Sequence, residues 1–105
     1  MTFHTMIVSF DSDIPDAELD QYLKDIETLM RGSEHVQSFA AQRHIRVAGD
    51  DHSPVFVASA VVQIGVADRD GLDAVFAVPG AVELIKRWQA RYPYKAVWVN
   101  HEELS

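Results

Sequence analysis

The chain has 105 residues, 48% of them hydrophobic, with five Phe, three Tyr and two Trp; this fits a single cored domain and excludes both a second core and a disordered segment. It contains no cysteine, which excludes thiol catalysis, thiolate metal sites and disulfide scaffolding. The net charge of -7, with nine scattered Lys and Arg, argues against a nucleic-acid partner, because phosphate backbones need clustered cations.

The first residues lack the basic start, apolar stretch and small-residue cleavage site of a secretory signal. The longest apolar run, residues 55–66, is too short and too β-branched for a membrane helix. A soluble, cytoplasmic protein with no membrane partner is expected.

Residues 3–10 are apolar and β-favouring, and strand alternation puts His4, Met6, Val8 and Phe10 on one face. Asp11, Ser12 and Asp13 then supply turn and capping chemistry, and Pro15 suits the first turn of a helix. Leu19, Tyr22, Leu23, Ile26, Leu29 and Met30 recur at helical spacing, which predicts a helix over 15–31 with Gly32 as its C-terminal stop. Residues 36–48 alternate Phe39, Ile45 and Val47 with Gln42, His44 and Arg46, predicting a strand with one wetter face. A turn is expected over 49–54.

The run 55–66 is apolar at both odd and even positions, as in a strand covered on both sides. A lone sheet with helices on one side would leave its other face in water, so a second sheet is expected to cover it. Asp68 and Asp70 mark the start of another helix with Leu72, Val75 and Phe76 inward, broken at Pro79-Gly80. The helix resumes over 81–91 with Val82, Leu84, Ile85 and Trp88 buried, and Pro93 ends it. Residues 94–100 form the last strand. The order is βαββαβ: a ferredoxin-like α+β domain with a four-stranded antiparallel sheet, spanning residues 1–105.

With these elements in place, the chain resembles the dimeric α+β barrel proteins, and among them the stress-responsive A/B barrel domains. The resemblance rests on Phe3-His4-Thr5-Met6-Ile7-Val8-Ser9-Phe10, the amphipathic first helix, the central strand ending in Ala67-Asp68-Arg69-Asp70, and the break at Pro79. It implies a homodimer with facing sheets and a pocket between sheet and helices in each subunit. The chain is also similar to the small RedY-type proteins, associated with condensation of two pyrrole units in prodiginine pigment pathways. Polyketide-cyclizing members of the group carry a histidine on the first strand, matched by His4. They carry a second just after the proline of the helix break, where this chain has Val78-Pro79-Gly80-Ala81. A mechanism needing two imidazoles is therefore not implied.

For site chemistry, His4 enters an apolar pocket if its strand face looks at the helices, and burial there favours the neutral imidazole, a usable general base. The alternative is a strand-end histidine bonded to backbone. Tyr22 would orient a carbonyl or phenol, or else pack in the core with its oxygen at the edge. Met6, Val8, Ile26 and Trp88 are the expected substrate-binding wall, and Trp98 a second flat surface; packing accounts for both tryptophans equally well. His44 and Arg46 would hold a carboxylate if not simply solvated. Asp50, Asp51 and His52 lack a partner motif, so no metal is expected, and no cofactor.

The reading that follows is a small-molecule-binding enzyme or accessory protein of secondary metabolism. It would promote condensation, cyclization or isomerization of an aromatic, pyrrole or polyketide-like substrate. The alternatives are a non-catalytic stress-response ligand-binding dimer and a cofactor-independent monooxygenase.

Overall fold

The β-favouring opening forms β1 (Thr2–Phe10), and the amphipathic stripe that follows forms α1 (Asp16–Arg31). Next come β2 (Ser38–Arg43), a 3-10 turn (Ala48–His52), β3 (Ala60–Val66), α2 (Arg69–Val75), α3 (Ala81–Arg91) and β4 (Tyr94–Glu102). The structure is a computed structural model and describes all 105 residues. The sheet order is β2-β3-β1-β4 with every neighbouring pair antiparallel, which is the ferredoxin-like α+β arrangement. No helix is long and apolar enough to cross a membrane.

The register divides the sheet into two unlike faces. On the inner face, Phe39, Ile64, His4 and Asn100 form one cross-strand row, and Ala41, Val62, Met6 and Trp98 the next. This face packs under the α1 stripe of Leu19, Tyr22, Leu23, Ile26 and Met30, together with Val75, Leu84 and Trp88. On the outer face no element covers the row Val61–Ile7–Val97, and Val97 and Val99 are more than half exposed. The next outer row is polar at its centre. Gln63 Nε2 donates to Thr5 Oγ1 (3.1 Å), and the Thr5 hydroxyl lies 2.7 Å from His101 Nε2.

The helix predicted over 15–31 starts at Asp16, because Pro15 keeps an extended ψ of 143° and serves as the cap. Gly32 ends it without a left-handed residue, at φ -74°, through bonds from Gly32 N to Leu29 O and from Ser33 N to Met30 O.

Two strands are shorter than the sequence pattern suggests. The segment 36–48 is a strand only over Ser38–Arg43, and 55–66 only over Ala60–Val66. A strand persists only while a neighbour supplies its ladder. At Ala60 the partners run out together: Arg43 is its last match on β2 and Val8 its last on β1. Ser59 closes the rung by donating its N–H to Val8 O (2.8 Å) and accepting Phe10 N–H on its Oγ (3.0 Å). Val55 and Phe56 are consequently exposed in the connection. The apolar case for a covered outer face therefore rests on β1 and β4 rather than on the length of β3, whose outer positions are Val61, Gln63 and Gly65.

Two glycines position the second helical layer. Gly71 lets α2 lie against β3, since a Cβ there would sit 2.7 Å from Val66 Cβ. Gly80 follows Pro79 at φ 91° and starts α3 in the left-handed region, which a side chain disfavours by about 1–2 kcal/mol. Gly80→Ala should accordingly lower unfolding stability by about 1–2 kcal/mol in urea with an unchanged denaturant slope, and Gly80→Asn by less. Equal losses for the two variants would mean that contact with Leu29, not backbone conformation, decides this position.

Candidate functional site

Between the sheet and the three helices lies a cavity of about 380 Å³, lined by 17 residues of which 15 are hydrophobic. Its floor is the inner face of β1 and β4, through His4, Met6, Ala96 and Trp98; α1 contributes Tyr22, Ile26, Leu29 and Met30. Val75 and Phe76 close the α2 end, and α3 closes the far side with Leu84, Ile85 and Gln89. Phe76, Val82, Ile85 and Trp98 are about half exposed at the mouth. Their apolar side chains face solvent there because the two-piece second helix leaves the sheet uncovered at that end.

His4 is the one buried polar residue of the chain, 4% exposed. Its place follows from register: it stands on a strand paired on both sides, directly opposite Asn100 on β4. Nδ1 donates to Asn100 Oδ1 at 2.8 Å. An oxygen acceptor at that nitrogen fixes the tautomer with the proton on Nδ1 and the lone pair on Nε2. Nε2 makes no bond within the protein, so it is the nitrogen free to take a proton from a molecule in the cavity. Phe76 packs edge-on against the imidazole at 5.1 Å and Trp98 at 5.6 Å, shielding it from the mouth.

Tyr22 is fully buried in an aromatic cluster, 5.3 Å from Phe10, 5.5 Å from Trp88 and 5.2 Å from Tyr94. Burial first, and the neighbouring Tyr94 hydroxyl second, push its pKa far above the ordinary tyrosine range, so it stays a protonated phenol. Gln89 is already engaged: its Nε2 donates to Tyr94 O (2.9 Å) and its Oε1 accepts Tyr94 N–H (3.0 Å). The cavity thus has a small set of polar groups around one free acceptor nitrogen.

Of the residues expected at a site, His4, Tyr22, Met6 and Ile26 come together around the cavity. Val8 and Trp88 do not line it. Val8 sits one rung further along β1 between Ala60 and Ala96, wholly within the core. Trp88 faces α1, where its Nε1 donates to Asp25 Oδ2 at 3.0 Å, and it serves packing. Ala81, at the point where a second histidine would stand in the cyclizing proteins, lines the cavity with a methyl group.

The expected basic pair stays together but does not stand on a strand face. His44 and Arg46 lie beyond the end of β2, in a polar cleft at the opposite end of the sheet from His4. His44 Nε2 lies 2.8 Å from Asp50 Oδ2, and this bond first, with Val47 N–H also donating to Asp50 Oδ2, lowers the Asp50 pKa. Those groups organise the 3-10 turn. Phe76, expected inward, reaches the cavity but is half exposed at its mouth, and Asn100 is not legible in the sequence, since a single asparagine in a strand carries no signal until the register of β1 on β4 is known.

No protein-family model matches the chain, and no curated protein matches it in sequence. Solved structures do match. A DABB family protein with a ferredoxin-like fold from Mesorhizobium loti superposes with a TM-score of 0.73 at 16% identity, covering 99% of this chain and 97% of that one. A dimeric ferredoxin-like protein of unknown function from Thermobifida fusca gives 0.73 at 12%, covering 97% and 90%. SnoaB, a cofactor-independent oxygenase from Streptomyces nogalater, gives 0.72 at 10%, covering 99% and 93%. At such identities the likeness is one of fold: the chain has the ferredoxin-like α+β architecture of these proteins, and dimers occur among them.

The His4–Asn100 bond makes a direct prediction. In nitrogen-resolved NMR at pH 8, where an imidazole is ordinarily neutral, His4 of the wild type should show one tautomer, protonated at Nδ1. Asn100→Leu should yield a tautomer mixture and a stability loss of about 1–3 kcal/mol for the orphaned donor. An unchanged tautomer in Asn100→Leu would show that something other than Asn100 sets it.

Proposed function

We propose that this chain binds an aromatic, pyrrole or polyketide-like molecule in the inner cavity and promotes its condensation, cyclization or isomerization, as an enzyme or accessory protein of secondary metabolism in the cytoplasm. The observation that carries this reading is His4, with Nδ1 committed to Asn100 and Nε2 unpartnered in an otherwise apolar cavity. A positioned base of this kind contributes about 10²–10⁴-fold to proton transfer. Tyr22 acts as the orienting hydroxyl, with Met6 and Ile26 in the binding wall. The finer assignment within this reading is a RedY-like role in condensing two pyrrole units for a prodiginine pigment. It is compatible with the single imidazole of the cavity, where Ala81 leaves one base rather than two.

Thermal-shift screening against phenols, pyrroles and polyketide mimics should find binders, and turnover assays on them should find a product. His4→Ala should then lower turnover about 10²–10⁴-fold while leaving oligomeric state unchanged. Full activity in His4→Ala would remove the general base from the proposal, and binding without any turnover would favour a non-catalytic stress-response dimer. The fold likeness to SnoaB favours, as a second reading, a cofactor-independent oxygenase. That reading requires oxygen consumption with a phenolic substrate.

The working unit in this proposal is a homodimer that buries the outer sheet face. Support comes from the uncovered row Val61–Ile7–Val97 beside Val99, and from the dimeric relative in fold. Val97→Glu should convert a dimer at micromolar concentration into a folded monomer in light scattering. A wild type that is already monomeric there would defeat the pairing.

A further inference from the structure

The cavity also has a charge character, and its consequence rests on the reading of this cavity as the ligand site. No Asp, Glu, Lys or Arg is among its lining residues; His4 is the one group there that gains a positive charge. The remaining polar groups are neutral: Gln89 is held by the Tyr94 backbone and His4 Nδ1 by Asn100, while Tyr22, Tyr94 and Trp98 bring uncharged O–H and N–H groups. The first turn of α3 enters the lining at Ala81 and Val82, but Ala81 N–H is donated to Val78 O (3.2 Å), and Glu83 places a carboxylate in the same turn. Tyr22 also lines this space, and burial first, with the neighbouring Tyr94 second, holds it strongly in the neutral form. An anion entering such a site loses hydration and gains no counter-charge.

We infer that the ligand of this cavity enters uncharged and that its acidic group is one whose conjugate base spreads its own negative charge, such as a phenol, a 1,3-dicarbonyl or a carbonyl-substituted pyrrole, whereas carboxylates and phosphate esters are rejected. In the reaction step, the proton leaves the O–H or activated C–H and goes to His4 Nε2, while the electron pair stays in the ligand's π system. The imidazolium keeps its Nδ1–H bond to Asn100 and is the sole counter-charge. The proton returns from Nε2 to a different atom of the same frame, so no other reactant is consumed. A simple ester or ketone, whose enolate concentrates its charge on one oxygen, gains less here because no Lys or Arg of the lining adds to the single imidazolium.

The test uses a shape-matched pair, 2-naphthol and 2-naphthoate, titrated into the full-length protein at pH 8, where an imidazole is ordinarily neutral. The His4 imidazole resonances serve as the readout. 2-Naphthol should perturb His4 and bind about tenfold or more tightly than 2-naphthoate. Placing a cation at the half-exposed mouth, as Ile85→Arg or independently as Val82→Lys, should shift the preference toward 2-naphthoate by a similar factor while the fold persists. Binding of 2-naphthoate as tight as that of 2-naphthol in the wild type overturns the charge inference and leaves the cavity reading standing. If neither compound perturbs His4, the cavity reading itself is overturned and this inference with it.

Discussion

The pairing of β1 with β4 is the constraint on which the rest of the molecule turns. β1 takes partners on both sides, matching β4 from Thr2↔Glu102 to Phe10↔Tyr94 and β3 from Thr2↔Val66 to Val8↔Ala60. Because side chains alternate along a strand, a slip of one residue would carry His4, Met6 and Val8 to the outer face and bring Phe3, Thr5 and Ile7 beneath the helices. Inner-face burial under α1 forbids that slip. Once it is forbidden, Asn100 has no choice but to stand across from His4, and the tautomer of the imidazole follows from the backbone ladder.

The same register makes the two sheet faces chemically different. Inside, beneath the helices, His4 and Asn100 satisfy one another at Nδ1, and Arg43 at the β2 edge pairs with Asp16 and Asp20 of α1. Outside, one row is aliphatic on β3, β1 and β4 with Gln42 at its β2 edge, and Gln63, Thr5 and His101 are bonded in sequence across three strands. His101 Nδ1 donates to Glu102 O, so its Nε2 accepts from the Thr5 hydroxyl. A face whose polar groups already satisfy each other can be covered by apolar surface at little desolvation cost. The Gln63–Thr5–His101 cluster therefore needs no dedicated polar partner under the proposed dimer.

Much of this was legible in the residues, for reasons that differ by element. The α1 stripe was readable because six apolar residues at helical spacing admit one explanation, and Leu19, Tyr22, Leu23, Ile26 and Met30 are buried as that spacing requires. The inward direction of His4 was readable from alternation with Met6, Val8 and Phe10. Strand ends were not, because apolar composition at 55–59 reports affinity for a sheet without reporting where neighbouring strands stop. The wall residues were half legible: Val8 and Trp88 point inward as expected, but inward also means toward solid core, and only placement in three dimensions separates the two. Asn100 was invisible since its meaning lies in a contact with a residue remote in sequence.

That remoteness has a kinetic side. The His4–Asn100 bond joins positions separated by 96 residues, so the chain must close nearly its largest loop before the imidazole acquires its partner, and such long-range contacts form slowly relative to local helices. α1 and the β2–β3 pair can organise from nearby sequence, whereas the cavity floor exists only after β4 has docked. The fixed orientation of the His4 ring is thus withheld until β4 has docked. A collapsed intermediate lacking β4 would offer an apolar surface but no fixed imidazole tautomer at His4.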